Sequence, residues 1–464
     1  MHVETLDTEV RTARGKAARK EVGRARQAEL PLEGRPDPIA LLEEQARGRV
    51  PELVPLRHGR MMASPFAFFR GAALVMASDL SFTPRTGLPA QLCGDAHLLN
   101  FGLYGTPERA LVFDVNDFDE TLPGPWEWDL KRLAASLEIA GRSNGFDRHA
   151  RRGVVLAAAR AYHDAMIEFA GKRNLEVWYA RLDVEAVRAE LHDMLNRRER
   201  KVSDKVIAKA HQQDSTHALG KLTEPVGGER RIVSAPPLIV PLAELLDEAA
   251  HEILVGELQR VIRSYSLSLQ SDRRALFEQY RFVELARKVV GVGSVGTRCW
   301  IALFVGIDDE DPLFLQIKEA EASVLERFVG RSTEDNHGER VVAGQRLMQA
   351  ASDMLLGWAR TAGLDGTQRD CYVRQLRDWK GSFVVDDMLA DGMSIYGRLC
   401  GWTLARAHAR SGDRVAIAGY LGRSDRFDEA IASFAESYAE QNEADYDALL
   451  RAVRSGRIPA EPGI

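Results

Sequence analysis

Two spacings of apolar residues alternate along this chain, and their order predicts its elements. After a polar stretch over 1–35, apolar positions recur at three- and four-residue intervals. Asp37-Pro38 predicts the start of a helix over 38–48, with Asp37 as N-cap and Pro38 at the first helical position. Phe66, Phe69, Ala73 and Val75 or Met76 mark one face of a helix over 65–80. Short strands are expected over 91–93 and 110–115. From 127 to 269 the spacing is helical again, broken by turns at 143–145 and 225–237. Then 282–290, 297–306 and 312–317 turn rich in Val, Ile, Phe and Trp, separated by glycines and an acidic turn over 308–311, which reads as antiparallel strands. A helix over 339–358, with Val342, Leu347, Ala350 and Met354 inward, and a strand over 370–379 follow, and the chain is helical from 387. The expected class is α+β. A flexible polar segment over 1–35 precedes a helical lobe over 36–280 and a sheet-containing lobe over 281–384. Helices over 385–464 return to the helical lobe. No internal repeat or low-complexity linker is visible.

The 464 residues suffice for two or three domains and a large core, and 45% hydrophobic with 28% charged residues is ordinary for a soluble globular protein. A net charge of -6 makes no case for nucleic acid as the main partner. Locally, Arg11, Arg14, Lys16, Arg19, Lys20, Arg24 and Arg26 are offset only by Glu21. A solvated chain end explains that run; a transit peptide or a contact with an anionic surface are the alternatives. No apolar run approaches the roughly 20 residues of a membrane span, and no apolar segment of a signal peptide follows the N-terminus. Cys93, Cys299, Cys371 and Cys400 are scattered without metal-ligand spacing. The expectation is a reduced cytoplasmic protein that engages no membrane.

Candidate chemistry gathers at 94–101, Gly-Asp-Ala-His-Leu-Leu-Asn-Phe. Asp95, His97 and Asn100 stand among Leu92, Leu98, Leu99 and Phe101, which can anchor the loop. Asp114, Asp117 and Asp119 follow on the next strand and its end. Clustered carboxylates repel unless a cation or cationic partner is present, and magnesium favours such hard oxygen ligands. An Asp, an Asn five residues on, and then a strand ending in Asp-Phe is a spacing suited to phosphoryl transfer. One carboxylate orients the attacking hydroxyl, while an Asn and a second carboxylate hold magnesium on the phosphates. Between two strands, Gly291, Gly293, Ser294 and Gly296 form a loop whose amides can approach an anion closely; a tight hairpin is the competing reading. Lys318 closes an apolar strand downstream, placed to reach the α- and β-phosphates of ATP, with a solvated strand-edge lysine as the alternative. Its helical acidic partner is sought among Glu321, Glu326 and Glu339. Glu339 is preferred, although a plain helix-terminal charge fits it equally well. Asp129 is expected to be an N-cap or a buried structural carboxylate, and His408 a packed helix residue.

Residues 91–130 resemble the aminoglycoside phosphotransferase and choline kinase branch of the protein-kinase-like fold. That branch reads roughly HGDxHxxN, then a strand ending in DF or DW, then a Gly-Pro stretch before a helix. Here the pattern runs Cys93-Gly94-Asp95, His97 and Asn100, then Asp117-Phe118, then Gly124-Pro125 to Asp129-Leu130, with Cys93 in place of the first His. The resemblance implies Asp95 as catalytic base, Asn100 as metal ligand and Asp117 as main metal ligand, with Asp114 as the fallback. From about residue 35 onward the chain resembles an uncharacterised bacterial family, domain of unknown function 2252. Arg60-Met61 and the runs at 94–102, 116–120, 292–298, 316–320, 344–346 and 404–413 carry that likeness. It implies no substrate. In kinases the glycine loop and lysine precede the catalytic loop; here they follow it. The helix over 395–410 is similar to the one that leads into that loop, and joining the chain end to residue 90 restores the usual order. The expected fold is therefore protein-kinase-like, two-lobed and circularly permuted. The implied activity is an ATP- and Mg2+-dependent phosphotransferase acting on a small-molecule hydroxyl, with the insert over 139–276 shaping the acceptor pocket. The rivals are a metal-dependent phosphohydrolase built on Asp95, His97, Asp114 and Asp117, and a nucleotide-binding regulator without catalysis.

Overall fold

The structure is a computed structural model that describes residues 7–461, apart from 192–195, 228, 246–247, 290, 363–365 and 377. It is mixed α+β with several antiparallel sheets. The largest sheet has six strands in the order Gly357–Ala362, Gln368–Gln375, Pro312–Ala320, Cys299–Val305, Arg281–Lys288 and Ile239–Pro241. Cys299 lies opposite Lys318 and Ile301 opposite Gln316, so the two most apolar strands interlock along the middle of the sheet. One face buries Ala302, Phe304, Leu313 and Leu315 against Tyr265, Leu269 and Phe277. The other buries Ile301, Leu303 and Phe314 against Leu219 and Leu222 of helix Ser215–Leu222 and Ile232 of strand Glu229–Ile232. This sheet body thus draws in residues well before 281, because strand Ile239–Pro241 and the helices that cover the sheet precede the strands that the sequence marks most clearly.

The helical body is built on Glu127–Ser143, Arg148–Gly171, Ala390–Ser411 and Arg426–Arg454. Helices Arg148–Gly171 and Ala390–Ser411 approach closely at Gly401, where a Cβ would come within 2.2 Å of the Ala158 carbonyl oxygen. Trp126 stacks on Tyr162 at 5.4 Å between ring centroids. A two-stranded ribbon, Pro89–Leu92 with Leu122–Pro125, and a small sheet of Phe101–Gly105, Leu111–Val115 and Leu182–Asp183 run beside this body. Among the described residues, no helix is long and apolar enough to cross a membrane.

Three expectations change. The basic segment near the N-terminus forms helix Thr8–Glu21, seated on helix Arg414–Leu421. Gly15 permits the contact: a Cβ there would lie 1.9 Å from the Ala416 carbonyl oxygen. Arg11 pairs with Asp413 at 2.7 Å, and Arg19 and Arg24 donate to the Gly419 and Leu421 carbonyls at the end of the partner helix. Cations there meet both unpaired carbonyls and the negative end of the helix dipole. The helix expected over 65–80 is two, Pro65–Gly71 and Ala73–Ser81, interrupted at Ala72 (φ -111°, ψ 36°). The helix expected over 339–358 is His337–Met348. Gln349 is extended, and Trp358 lies on an edge strand of the large sheet.

Candidate active site

The loop carrying Asp95 is fixed from several sides. Strand Pro89–Leu92 runs into Cys93 and Gly94, whose amides donate to the Asp129 carboxylate at 2.8 and 3.0 Å. Gly94 is needed as glycine: its φ is +84°, and a Cβ would lie 2.3 Å from the Glu120 carbonyl oxygen. Asp129 is in turn 3.3 Å from His408 Nε2, and Tyr162 hydroxyl lies 2.9 Å from His408 Nδ1. Both residues therefore serve as buried structure. Leu98 N donates to Ser136 Oγ, and Tyr396 hydroxyl donates to the Leu98 carbonyl. Asn100 Nδ2 donates to the Asp95 carbonyl at 2.7 Å, which leaves Oδ1 as the atom Asn100 can offer a cation.

Asp95 Oδ1 accepts from Arg132 Nε at 2.8 Å, and Arg132 Nη2 is also within 2.8 Å. Oδ2 lies 3.8 Å from His97 Nε2. Burial raises the Asp95 carboxyl above its ordinary range, against the pull of Arg132 and Arg70. Burial also drives His97 well below its ordinary value, so it is neutral.

The second acidic group splits. Asp114, on strand Leu111–Val115, is fully buried in an ion pair with Arg406 of helix Ala390–Ser411. Its oxygens also accept from Ala350 N at 2.8 Å and Val115 N at 2.9 Å. Asp114 is thus committed to structure, and the fallback metal role assigned to it fails. Asp117, past the strand end, faces a cavity of about 390 Å³ together with Asp95, Asn100 and Asp119. Burial and then Asp119 push its carboxyl upward, while Lys318 and Arg374 oppose. Burial resists ionisation of Asp119 too, but Lys318 and Tyr372 outweigh it and hold that carboxyl low. Lys318 Nζ is 2.5 Å from Asp119 Oδ2, and Tyr372 hydroxyl donates to Oδ1 at 2.6 Å.

The ion pair of Lys318 is therefore with Asp119 and not with Glu339. Glu339 sits in the first turn of helix His337–Met348, where Asn336 Oδ1 accepts from its amide, and it does not line the cavity. Its surroundings are acidic, with Glu334 and Asp335 nearby.

The glycine loop lines the same cavity. Gly291, Gly293 and Ser294 line it. Residues 291–298, between strands Arg281–Lys288 and Cys299–Val305, form a loop too long for a tight hairpin, so that alternative does not hold. Gly291 O accepts from Arg60, Val295 O from Arg49, and Gly296 O from Val50 N, which dock the loop on residues 49–70. Gly296 (φ +90°) lies behind the cavity surface against Arg49.

Among the described residues no three His, Cys, Asp or Glu side chains converge as a metal cage. Magnesium bound to a nucleotide does not require one, since one or two protein ligands plus phosphates suffice. Asn100 and Asp117, both facing the cavity, fit that demand.

Sequence reasoning missed Arg132, Tyr372 and Arg374 beside the carboxylates, and Arg49, Arg57 and Arg70 in the lining of the same cavity. It also missed Glu120, pushed up to about 7 by burial, and Lys380, pushed down to about 7 by burial and Arg374. For Arg132 a signal existed, since it stands one helical turn past Asp129 on the helix that follows the acidic cluster.

The molecule is thus an α+β protein with a cleft lined by acidic residues, part of a glycine loop and several arginines. A family model described as "Uncharacterized protein conserved in bacteria (DUF2252)" matches residues 49–452, and the chain belongs to that family. No curated protein and no solved structure matches it.

Proposed function

We propose that this protein is an ATP- and magnesium-dependent phosphotransferase with a circularly permuted, kinase-like two-lobe arrangement, acting in the cytoplasm on the hydroxyl of a small molecule. One observation carries the reading: a single cavity is lined by Asp95, Asn100, Asp117 and Asp119 and by the 291–294 part of the glycine loop, while Lys318, buried behind that lining, is paired with Asp119. The contact of helix Ala390–Ser411 with strand Pro89–Leu92, including Gln91 N to Ser411 Oγ at 3.2 Å, supports the permuted order. The four buried, unpaired cysteines are in keeping with a reducing compartment.

In this reading Asp95 Oδ2, the oxygen not engaged by Arg132, accepts the proton of the acceptor hydroxyl. The acceptor oxygen forms a bond to the terminal phosphorus of ATP as the bond to the bridging oxygen breaks, and ADP leaves. Lys318 supplies positive charge beside the phosphates, and Asp119 with Tyr372 keeps its amine in place. Magnesium at Asn100 and Asp117 would neutralise charge on the phosphates. The phosphohydrolase alternative loses support because Asp114 is locked to Arg406.

Thermal unfolding with ATP, with and without magnesium, tests the reading. Nucleotide at a hundred times its dissociation constant should stabilise the protein by about 2.7 kcal/mol only with magnesium present. Asp117→Ala should abolish that dependence, and a variant that keeps the full magnesium-dependent shift removes Asp117 from the site.

A further inference from the structure

Arg57, on helix Val54–Met61, is 1% exposed, and only one of its nitrogens is satisfied. Nη2 donates to Gln45 Oε1 at 2.7 Å and to the Gly71 carbonyl at 2.8 Å; Nε and Nη1 have no partner. No carboxylate lies within ion-pair distance among the described residues, and the charge nearest to it is another cation, Arg49. Arg49 is 7% exposed. It donates to the Val295 carbonyl at 2.5 Å and leaves Nε unpartnered. Arg70, at the end of helix Pro65–Gly71, likewise has no ion pair among the described residues, and its Nε has no partner among them. All three line the cavity that holds Asp95 and Asp117.

A buried guanidinium without a counter-charge is costly, and it cannot escape by losing its proton. Acids reach Arg49 and Arg70 only beyond ion-pair distance, Asp119, Glu120 and Glu321 for Arg49 and Asp95 for Arg70, and none of them acts on Arg57. Glu44 is paired with Arg327, and Glu319 with Arg298 and Arg369.

We propose that Arg49, Arg57 and Arg70 form a binding subsite for a phosphate group in the wall of the cleft. Guanidinium forks match phosphate oxygens in geometry, and several of them balance a dianion. The phosphate belongs either to the nucleotide or to an acceptor that already carries a phosphate beside its hydroxyl; that choice rests on the phosphotransferase reading, whereas the subsite does not.

The test is calorimetric titration of the full chain with inorganic phosphate at constant ionic strength, which holds screening fixed. The wild type should bind saturably, and Arg57→Met and Arg70→Gln should each weaken binding at least tenfold. Arg57→Met should also melt no lower than the wild type in phosphate-free buffer, since it removes an unpaired buried charge. Should Arg57→Met fail to fold, Arg70→Gln at its partly exposed position decides the matter alone. No saturable binding by the wild type, or unchanged affinity in the folded variants, would overturn the subsite. Repeating the titration with saturating magnesium-ATP identifies the source. Mutual exclusion assigns the subsite to a nucleotide phosphate, and simultaneous binding assigns it to the acceptor. Because phosphate alone is the probe, failure of ATP binding leaves the subsite standing, and loss of the subsite leaves the nucleotide reading standing.

Discussion

On one wall of the cleft, acids meet bases at hydrogen-bond distance: Asp95 with Arg132, Asp119 with Lys318 and Tyr372. On the other, Arg57 and Arg49 are buried with donors facing nothing. These pairs are complete by themselves, so their geometry is set before any ligand arrives, whereas Asp117 beside them faces the open cavity. The arginines carry charge with no ion-pair partner among the described residues, which the proposed phosphate would balance. The same contrast recurs within three residues of sequence, where Asp114 is sealed against Arg406 while Asp117 faces the open cavity. Asp114 is thereby held in the scaffold, while Asp117 stays open to the cavity.

The sharpest way to break this comparison is at Asp95, which is matched through one oxygen only. Asp95→Asn should lower turnover of labelled ATP by roughly a hundredfold or more, the scale of a lost general base, and leave magnesium-ATP stabilisation in place. Equal losses of binding and turnover would move Asp95 into the scaffold. Next in size is the closed pair. Lys318 is 3% exposed, so Lys318→Met strands Asp119 and should cost about 3 kcal/mol in denaturant unfolding. Adding Asp119→Asn should recover much of that loss, and simple additivity of the two changes would show that the pair is not coupled.

The smallest effect is a pH dependence. Glu120 accepts from Val324 N at 2.7 Å, and burial raises its carboxyl from 4.5 to about 7. A raised folded value means that the folded state holds its proton longer than the unfolded state does. The protein should therefore lose stability as pH rises from about 4.5 to 7, with the full penalty present above 7. Glu120→Gln should stabilise the protein by about 2 kcal/mol at pH 8, allowing for partial exposure, and by almost nothing at pH 4. An equal effect at both pH values would contradict a buried, proton-holding Glu120.

The antiparallel strands and the helices around them were readable because their apolar spacing is local. The site was readable as a set of residue types and less so as a set of pairings. Strand Leu111–Val115 is buried at every position, so alternation could not say which acid faces the cavity. Lys318 finds Asp119 across 199 residues, and no local pattern favours it over Glu339. The basic N-terminal run reads as solvated by composition, yet its arginines cap a helix some 400 residues away. Buried arginines such as Arg57 run against the usual preference of that side chain for the surface, so sequence spacing gives no reason to place it inside.

The contact between strand Pro89–Leu92 and helix Ala390–Ser411 has a consequence during synthesis. The Asp95 loop is made early, but its support through Asp129 depends on His408, and Gln91 waits for Ser411. Roughly 300 residues separate them, about 15–60 s of translation at common elongation rates. Throughout that interval Leu92 and Phe101, both buried in the finished protein, lack the helix that covers them. The nascent chain is thus open to aggregation and to chaperones until its final helices emerge, and a chain cut short after the large sheet lacks the helix that supports the Asp95 loop.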